Sequence, residues 1–457
     1  MDKYLARSID QALQEWKDNP CRKPLLVRGA RQVGKSCTIR HLGNSFKYFL
    51  EVNVERNPEV MEFFKGSRDV KSIAAKLSDF FNVPVVPDET LLFLDEIQKS
   101  EDVIHSLWFF KEDYPELHVV AAGSLLEFAL KDLSSFGVGR VSSLFVYPMS
   151  FDEFLMATGQ EGLLRTKRNC SPLNPLPEAF YAKLVEAFRS YMLVGGMPEA
   201  VATYTETGSY RYSSDIVNEI IQGYQDDFAK YGAKANPLLL RQTLISVAHQ
   251  AGAKFVCSRV EGQYRSAEVK VALEMLKDAG LIIPTYHTDA NGVPLGAEIN
   301  ERVVKYLIHD TGVLLGILGI DDDIDERIKE MMVADSIDLV DKGHVAEMMA
   351  GLELIKYSSP QTRHQLYYWQ NMNKGTCAEV DYVIARSGSI VPIEVKSGVK
   401  GSMSSMYSLM RNPQKHIEMG IRCSLENFGT FASPDGKKID IIPLYAISNL
   451  FQSPHII

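Results

Sequence analysis

The chain of 457 residues lacks long hydrophobic runs. No stretch of about 18 uninterrupted apolar residues occurs, so the sequence predicts no membrane-spanning helix. The first ten residues, MDKYLARSID, also contain no apolar run. We therefore expect no signal peptide. These absences predict a cytoplasmic location and no membrane partner.

Paired cysteines and an excess of basic residues are also lacking. The 6 cysteines include no CxxC pair, and a chain of this length does not need disulfides to fold, so free thiols in a reducing compartment are expected. The formal net charge is -9. This charge argues against a surface coated with basic residues for non-specific binding to nucleic acid, although it leaves room for one local basic groove.

A phosphate-binding pattern lies near the N-terminus. Residues 29–36 read GARQVGKS, which fits G-x-x-x-x-G-K-[S/T]. The apolar run PLLVR at 24–28 precedes this pattern and predicts a buried strand, and SCTIRHL at 36–42 predicts a helix. Strand, loop and helix in this order are the context that the motif requires. The sequence therefore predicts a nucleotide site.

Each motif residue has a chemical role in such a site. Gly29 and Gly34 shape a loop whose N–H groups, together with the N-terminus of the helix, bind anionic oxygens. Lys35 would reach the β and γ phosphates, and Ser36 would hold Mg²⁺. The cofactors predicted are ATP and Mg²⁺.

A second acidic motif agrees with the first. Residues 90–96, TLLFLDE, form an apolar run that ends in two acids. Such a run is weak evidence alone but strong evidence downstream of a phosphate loop. Asp95 would support the Mg²⁺ shell, and Glu96 is placed to polarise the attacking water.

Further apolar runs at 49–53, 118–124 and 141–148 predict three more strands. With the two motifs, this order resembles the AAA-type P-loop ATPases over about residues 20–205. The resemblance assigns Ser124 to the sensor 1 position, where the alternative is packing of a small residue at a strand end. It assigns Arg140 to the arginine-finger position, where the alternative is a solvent-exposed arginine. Because such a finger acts on a neighbouring subunit, the resemblance implies a homo-oligomer, either a dimer or a ring such as a hexamer.

The middle of the chain predicts two helical regions. Residues 151–209 are expected to form a helical lid with a break at GGMPE, 195–199. No residue there is assigned to sensor 2, because Gly, Pro and Glu stand where an arginine is usual. Residues 210–295 are interpreted as a winged helix with its wing turn at Asn291-Gly292. Such modules bind DNA or serve only in packing, and the acids around the helix at 265–280 favour packing.

The last part of the chain holds a second group of chemical residues. Glu347 lies in a predicted helix, Asp381 in a strand at 379–384, and Glu394 and Lys396 in the next strand. If the two strands form a hairpin, Asp381 lies opposite Glu394, and residues two apart share one face. Three carboxylates suit a hard metal ion such as Mg²⁺. Lys396 could orient or activate water.

This order of helix glutamate, strand aspartate and E-x-K is similar to the PD-(D/E)XK nuclease superfamily. Such a fold can keep its shape and lose its chemistry, so both cleavage and binding of DNA stay open. The alternative is a solvated face of a strand pair.

The whole chain resembles a bacterial and archaeal family that joins an AAA-type ATPase to a nuclease-like domain of unassigned role. The matching pieces are RGARQVGKS, LLFLDEIQ, AAGSLLEFAL, GRVSSLFVYPMSFDEF, GGMPEAV, KYLIHDTGVLL and AEVDYVIARSGSIVPIEVKSG. The fold class predicted is α/β, divided into an ATPase core (1–150), a helical lid (151–209), a winged-helix-like domain with connector (210–335) and a nuclease-like domain (336–457). The function predicted is an ATP-hydrolysing oligomer that acts on DNA. The alternative is a regulatory or signalling ATPase whose last domain binds nucleic acid or protein without cutting.

Overall fold

A computed structural model describes most of the chain. The described residues are 4–123, 126–132, 139–229, 236–319, 342–371, 378–398 and 401–451. The chain forms two compact units: one comprises Met1–Pro148 with Asp278–Leu281 and Ser359–Arg363, and the other comprises the remaining residues. Within the described ranges, no helix combines the length and the apolar character needed to cross a bilayer.

The first unit is built on a five-stranded parallel sheet of order β2-β3-β4-β1-β5. Its strands are β1 (Leu25–Arg28), β2 (Tyr48–Asn53), β3 (Thr90–Asp95), β4 (His118–Ala122) and β5 (Ser142–Phe145). Every residue of β3 and β4 is buried, because helices cover both faces of a parallel sheet. The predicted order of strands along the chain is confirmed.

Among the described residues, six α-helices accompany this sheet. They are α1 (Ile9–Asp18), α2 (Lys35–Gly43), α3 (Met61–Phe64), α4 (Val70–Phe81), α5 (Glu101–Asp113) and α6 (Leu126–Asp132). The side chains of Asp69 and Ser100 cap α4 and α5 by accepting backbone N–H groups, which is the usual role of such residues at a helix start. Apolar residues of α4 and α5 form one core with those of β2 and β3.

The second unit begins with helices, as the sequence predicts for 151–209. The helices before its strands are α7 (Phe151–Ala157), α8 (Glu161–Arg168), α9 (Glu178–Val194), α10 (Pro198–Thr207), α11 (Tyr210–Asp227), α12 (Pro237–His249) and α13 (Ser266–Asp278, whose last residue belongs to the first unit); α14 (Thr311–Ile317) follows later. The predicted helix break lies between α9 and α10. There the Gly196 N–H donates to the Asp310 carboxylate at 2.6 Å.

A hairpin follows α13 in the region interpreted as a winged helix. Strands β6 (Ile282–Thr288) and β7 (Ile299–Ile308) pair antiparallel, and the predicted turn at 291–292 lies in their connection. On its other edge β6 pairs in parallel with β8 (Leu366–Gln370), which pairs with β9 (Glu379–Val380). The hairpin is thus part of a four-stranded sheet, and its interpretation as the wing of a winged helix stays a prediction.

The C-terminal sheet has the order β10-β11-β12-β14-β13. Its strands are β10 (Tyr382–Arg386), β11 (Ser389–Val395), β12 (Met419–Ser424), β13 (Gly429–Ala432) and β14 (Lys438–Pro443). Helix α15 (Lys342–Lys356) contacts β7 and β11, and α16 (Ser404–Arg411) connects the parallel strands β11 and β12.

One strand differs from the sequence prediction. Residues 379–384 are predicted as a single strand, but the chain leaves one sheet after β9 and enters the other at β10. The change occurs at Asp381, whose carboxylate accepts the Val395 N–H at 2.7 Å. This side-chain contact with the neighbouring strand accompanies the break and holds Asp381 beside β11.

Candidate functional site

The phosphate loop connects the end of β1 to the start of α2. Gly29 has a φ of +145°, and a Cβ there would lie 2.1 Å from the carbonyl oxygen of Val146. Gly34 has a φ of 94° at the N-cap of α2. Positive φ and close backbone approach both favour glycine. The two motif glycines are therefore required by the shape of the loop.

Lys35 closes the loop in this structure. Its ammonium donates to the carbonyl oxygens of Gly29 at 3.0 Å and Ala30 at 2.7 Å. The side chain is buried, and burial lowers the pKa of Lys35 to about 8, against the attraction of Glu96 and Asp95. A phosphate that enters the loop would offer this ammonium charged acceptors in place of neutral carbonyls.

Asp95 brings together groups from three elements. Its carboxylate accepts from the Ser36 hydroxyl at 3.3 Å and from the Asn53 amide at 3.3 Å. Burial raises the pKa of Asp95, and the neighbouring charge of Glu96 acts in the same direction. A hydroxyl and a carboxylate side by side are hard oxygen donors, so Ser36 and Asp95 fit a Mg²⁺ ion.

Glu96 follows β3 in the left-handed conformation, with φ 55° and ψ 39°. The Gln98 amide donates to its carboxylate at 2.5 Å. The other amide atom, Gln98 Oε1, has no hydrogen-bond partner among the described residues, and a Cβ on Gly123 would lie 2.0 Å from it. Gln98 thus holds Glu96 in this structure. Ser124, the predicted sensor 1, lies outside the described residues.

Three residues of this site escaped the sequence analysis. Arg7 donates to the carbonyl oxygens of Val33 at 2.9 Å and Tyr147 at 2.7 Å, which ties the loop to the N-terminal segment. Asn53 contacts Asp95, and Gln98 contacts Glu96. Only Gln98 had a signal, since it belongs to the quoted piece LLFLDEIQ. Arg7 lies in no motif, and Asn53 is only the last residue of the strand predicted at 49–53.

Arg140 lies two residues before β5, as predicted. Its guanidinium pairs with the Glu112 carboxylate at 2.8 Å and lies 5.5 Å from the centre of the Trp108 ring. Its side chain is 47% exposed, so the guanidinium is accessible to solvent. The arginine-finger role stays a prediction.

The C-terminal residues predicted from the sequence come from α15 and from the β10–β11 hairpin. The register of Tyr382 with Ile393 brings Asp381 next to Glu394, and the Lys396 ammonium donates to the Glu394 carboxylate at 2.7 Å. The Tyr382 hydroxyl donates to the backbone carbonyl of Glu347 at 2.8 Å. This bond fixes the helix turn that carries Glu347 against β10.

Lys305 on β7 joins this group, and the sequence analysis missed it. Its ammonium lies 2.8 Å from the Glu347 carboxylate and 2.5 Å from the Glu379 carboxylate. Its side chain is 1% exposed. The signal available was its place at the start of the quoted piece KYLIHDTGVLL. We call Lys305, Glu347, Glu379, Asp381, Glu394 and Lys396 the acid–lysine cluster.

Burial dominates the electrostatics of the acid–lysine cluster. It raises the pKa of Glu347 to about 8 against the attraction of Lys305, and it raises the pKa of Glu394 to about 7 with help from Asp381. The pKa of Asp381 is also raised by burial. Burial lowers the pKa of Lys305, but the charges of Glu347 and Glu379 outweigh it and raise that pKa above its ordinary value.

The cluster does not fit a divalent metal ion in this arrangement. Across the described ranges, no three His, Cys, Asp or Glu side chains are spaced to hold one ion. Oxygens of Glu347, Glu394 and Asp381 already accept from Lys305, Lys396 and a backbone N–H respectively. Within the acid–lysine cluster, Glu394 Oε2 is buried and finds no hydrogen-bond partner among the described residues. The metal role of the three carboxylates stays a prediction that this geometry does not support.

Comparisons with known proteins agree with the geometry of the phosphate loop. Residues 21–155 match the family described as AAA domain. Residues 185–324 and 342–447 match two families described as domains of unknown function, DUF8612 and DUF4143. No curated protein matched the chain.

Among solved structures, a Walker-type ATPase of Pyrococcus abyssi is similar to this chain. It is 17% identical with a TM-score of 0.43, over 69% of this chain and 96% of that chain. The loop glycines, the buried lysine and the Ser36–Asp95 contact lie within the matched AAA domain. The chain carries an AAA domain at residues 21–155, and this match supports ATPase activity.

Proposed function

We propose that the chain hydrolyses ATP with Glu96 as the base and acts on DNA through its C-terminal domain. The phosphate loop supports the first part, and the acid–lysine cluster supports the second. The sequence of events at the phosphate loop follows from the contacts of its residues.

In the loop, Lys35 exchanges its two carbonyl acceptors for phosphate oxygens when ATP binds. Ser36 and Asp95 would hold Mg²⁺, which in P-loop ATPases neutralises charge that develops on the transferring phosphoryl group. Their oxygens are 3.3 Å apart. Lys35, Ser36 and Asp95 thus orient the nucleotide, and the proton transfer falls to another residue.

Glu96 is the residue that we assign to the water. Its carboxylate accepts a hydrogen bond from Gln98 in the structure, so one oxygen must exchange that partner for the attacking water. The carboxylate then polarises the water and takes its proton as the oxygen attacks the γ phosphorus, while the bond from that phosphorus to the β–γ bridging oxygen breaks and releases ADP and inorganic phosphate. Ser124 is proposed to contact the γ phosphate, as its sensor 1 assignment implies.

Arg140 is proposed to act on the nucleotide of a neighbouring subunit. Its exposure supports this role, because a residue that serves another subunit must reach beyond its own chain. The Glu112 ion pair would then be exchanged for phosphate contacts in the oligomer. An arginine finger stabilises the charge of the transition state.

The observation that carries the DNA proposal is the assembly of Glu347, Asp381, Glu394 and Lys396 from one helix and one hairpin. This is the residue order of the nuclease superfamily that the sequence resembles. Because lysines and a backbone N–H occupy the carboxylates, we propose that the domain binds DNA without cutting it. Lys396 is the proposed phosphate contact.

A second candidate is a regulatory ATPase whose C-terminal domain binds protein. The formal net charge of -9 favours it, since an acidic chain attracts DNA weakly overall.

One experiment separates these functions. The ATPase rate of the full chain is measured alone and with double-stranded, single-stranded and branched DNA, and a supercoiled plasmid is incubated with the chain and Mg²⁺ or Mn²⁺. We expect at least one DNA form to raise the rate while the plasmid stays intact. A rate that no DNA form changes favours the protein-binding candidate. If the plasmid is nicked and Asp381→Ala removes the nicking, the C-terminal domain cleaves DNA with a metal ion, and the proposal of binding without cutting is wrong.

A further inference from the structure

Lys305 is a buried charge whose position in the fold needs an explanation. It comes from β7, in the four-stranded sheet, whereas Glu347 lies on α15 and Glu379 on β9. Its ammonium contacts both carboxylates and lies 5.0 Å from the centre of the Tyr368 ring. Taking an ammonium out of water is unfavourable unless opposite charges compensate it. The lysine and the two acids are therefore energetically interdependent.

The acids need a compensating cation whenever they are ionised. Glu347 and Glu394 are buried, and the nearby charge of Asp381 raises the pKa of each. Carboxylates this close repel one another when they are ionised. A divalent ion is one way to neutralise such a group, and a lysine is another. In the structure, Lys305 pairs with Glu347 and Lys396 pairs with Glu394.

We infer that Lys305 neutralises the acid–lysine cluster in place of a divalent metal ion. The Lys305 ammonium would draw the carboxylates of Glu347 and Glu379 toward β7. They would then lie away from a position where they and Glu394 could bind one metal ion together. This agrees with the spacing of the carboxylates, which suits no metal ion in the described ranges. The inference concerns the domain proposed to bind DNA but does not require DNA to be its ligand.

The test measures Mn²⁺ binding to the full, nucleotide-free chain by electron paramagnetic resonance. Asp95→Asn is introduced first, because it removes the carboxylate of the ATP site. In that background we expect no Mn²⁺ site at the acid–lysine cluster, so adding Asp381→Asn should not change Mn²⁺ binding. Adding Lys305→Met, which keeps most of the side-chain volume, should create one new Mn²⁺ site, and Asp381→Asn should abolish it. Lys305→Arg keeps the charge and should create none.

Two results would overturn the inference. The first is Mn²⁺ binding by the Asp95→Asn chain, with Lys305 in place, that is lost when Asp381→Asn is added. The second is a folded Lys305→Met variant that gains no Mn²⁺ site. If Lys305→Met does not fold, Glu347→Gln is added to remove the carboxylate left without its partner. We then expect folding and a cooperative melting transition to return. Failure of that rescue would show that the lysine does not act through charge compensation.

Discussion

The Ser36 hydroxyl lies 3.3 Å from the Asp95 carboxylate, and this contact joins the start of α2 to the end of β3. The two residues, each in its own motif, are 59 positions apart in sequence. The parallel sheet brings them to one edge, since the carboxyl ends of β1 and β3 face the same way. The ATP site is thus a property of the sheet as much as of the loop.

Lys35 and Glu96 should fail in different ways when they are replaced. Lys35→Ala should abolish hydrolysis and greatly weaken ATP binding, because the charge on the transferring phosphate loses its partner. Glu96→Gln keeps the side-chain shape but cannot take a proton, so it should bind ATP and retain it. Filter binding of labelled ATP and phosphate release measure the two effects. Hydrolysis at the wild-type rate by either variant would contradict these roles.

The lowered pKa of Lys35 predicts proton uptake on ATP binding. The ammonium is partly deprotonated slightly above pH 8, and phosphate oxygens favour its charged form and raise its pKa. Calorimetry on Glu96→Gln, in two buffers of different ionisation enthalpy, should then give different heats. Lys35→Arg is the matched control, because a guanidinium stays charged and should remove the buffer dependence. Equal heats in both buffers without the arginine substitution would contradict the prediction.

Arg140→Ala tests the finger in trans. It should slow hydrolysis by roughly a thousandfold or more while ATP affinity stays nearly unchanged. Mixing it with Lys35→Ala should restore part of the rate, because each subunit supplies the half-site that the other lacks. Glu112→Ala is the control, since it breaks the same ion pair but keeps the arginine. An unchanged hydrolysis rate in Arg140→Ala would contradict the finger role and indicate an ordinary surface arginine.

Stability should fall as pH rises, owing to Glu347. Its pKa is raised from 4.5 in the unfolded chain to about 8 in the fold, so the folded state binds more protons between these values. The stabilisation is present below the lower value and is lost as pH rises through the upper one, with a slope approaching about 1.4 kcal/mol per pH unit. Glu347→Gln should flatten the profile of melting temperature against pH. Parallel profiles for the two proteins would rule out this origin.

The ATP site was predictable because its signals are local. The phosphate loop needs glycines at fixed spacing, and strands such as β3 and β4 are short apolar runs that a parallel sheet buries. The acid–lysine cluster was predictable only in part. Lys305 and Glu347 are 42 positions apart, and a lysine inside a strand gives no sign of its distant partner.

The break at Asp381 was equally invisible in the sequence. Charged and apolar residues alternate through 379–384, which is the pattern of one continuous strand. What divides it is tertiary: β9 pairs with β8, and β10 pairs with β11. Two sheets that compete for one segment cannot be inferred from its periodicity.

The central claim, that the C-terminal domain binds DNA without metal, is tested most directly by fluorescence anisotropy. A labelled DNA is titrated with the full chain in EDTA at several salt concentrations. We predict binding without metal, and a weaker affinity with a smaller salt dependence for Lys396→Ala, because one phosphate contact is lost. Lys438→Ala, which removes an exposed lysine elsewhere on the same sheet, is the control and should bind as the unsubstituted chain does. Binding that requires Mg²⁺, or no DNA binding at all, would contradict the claim.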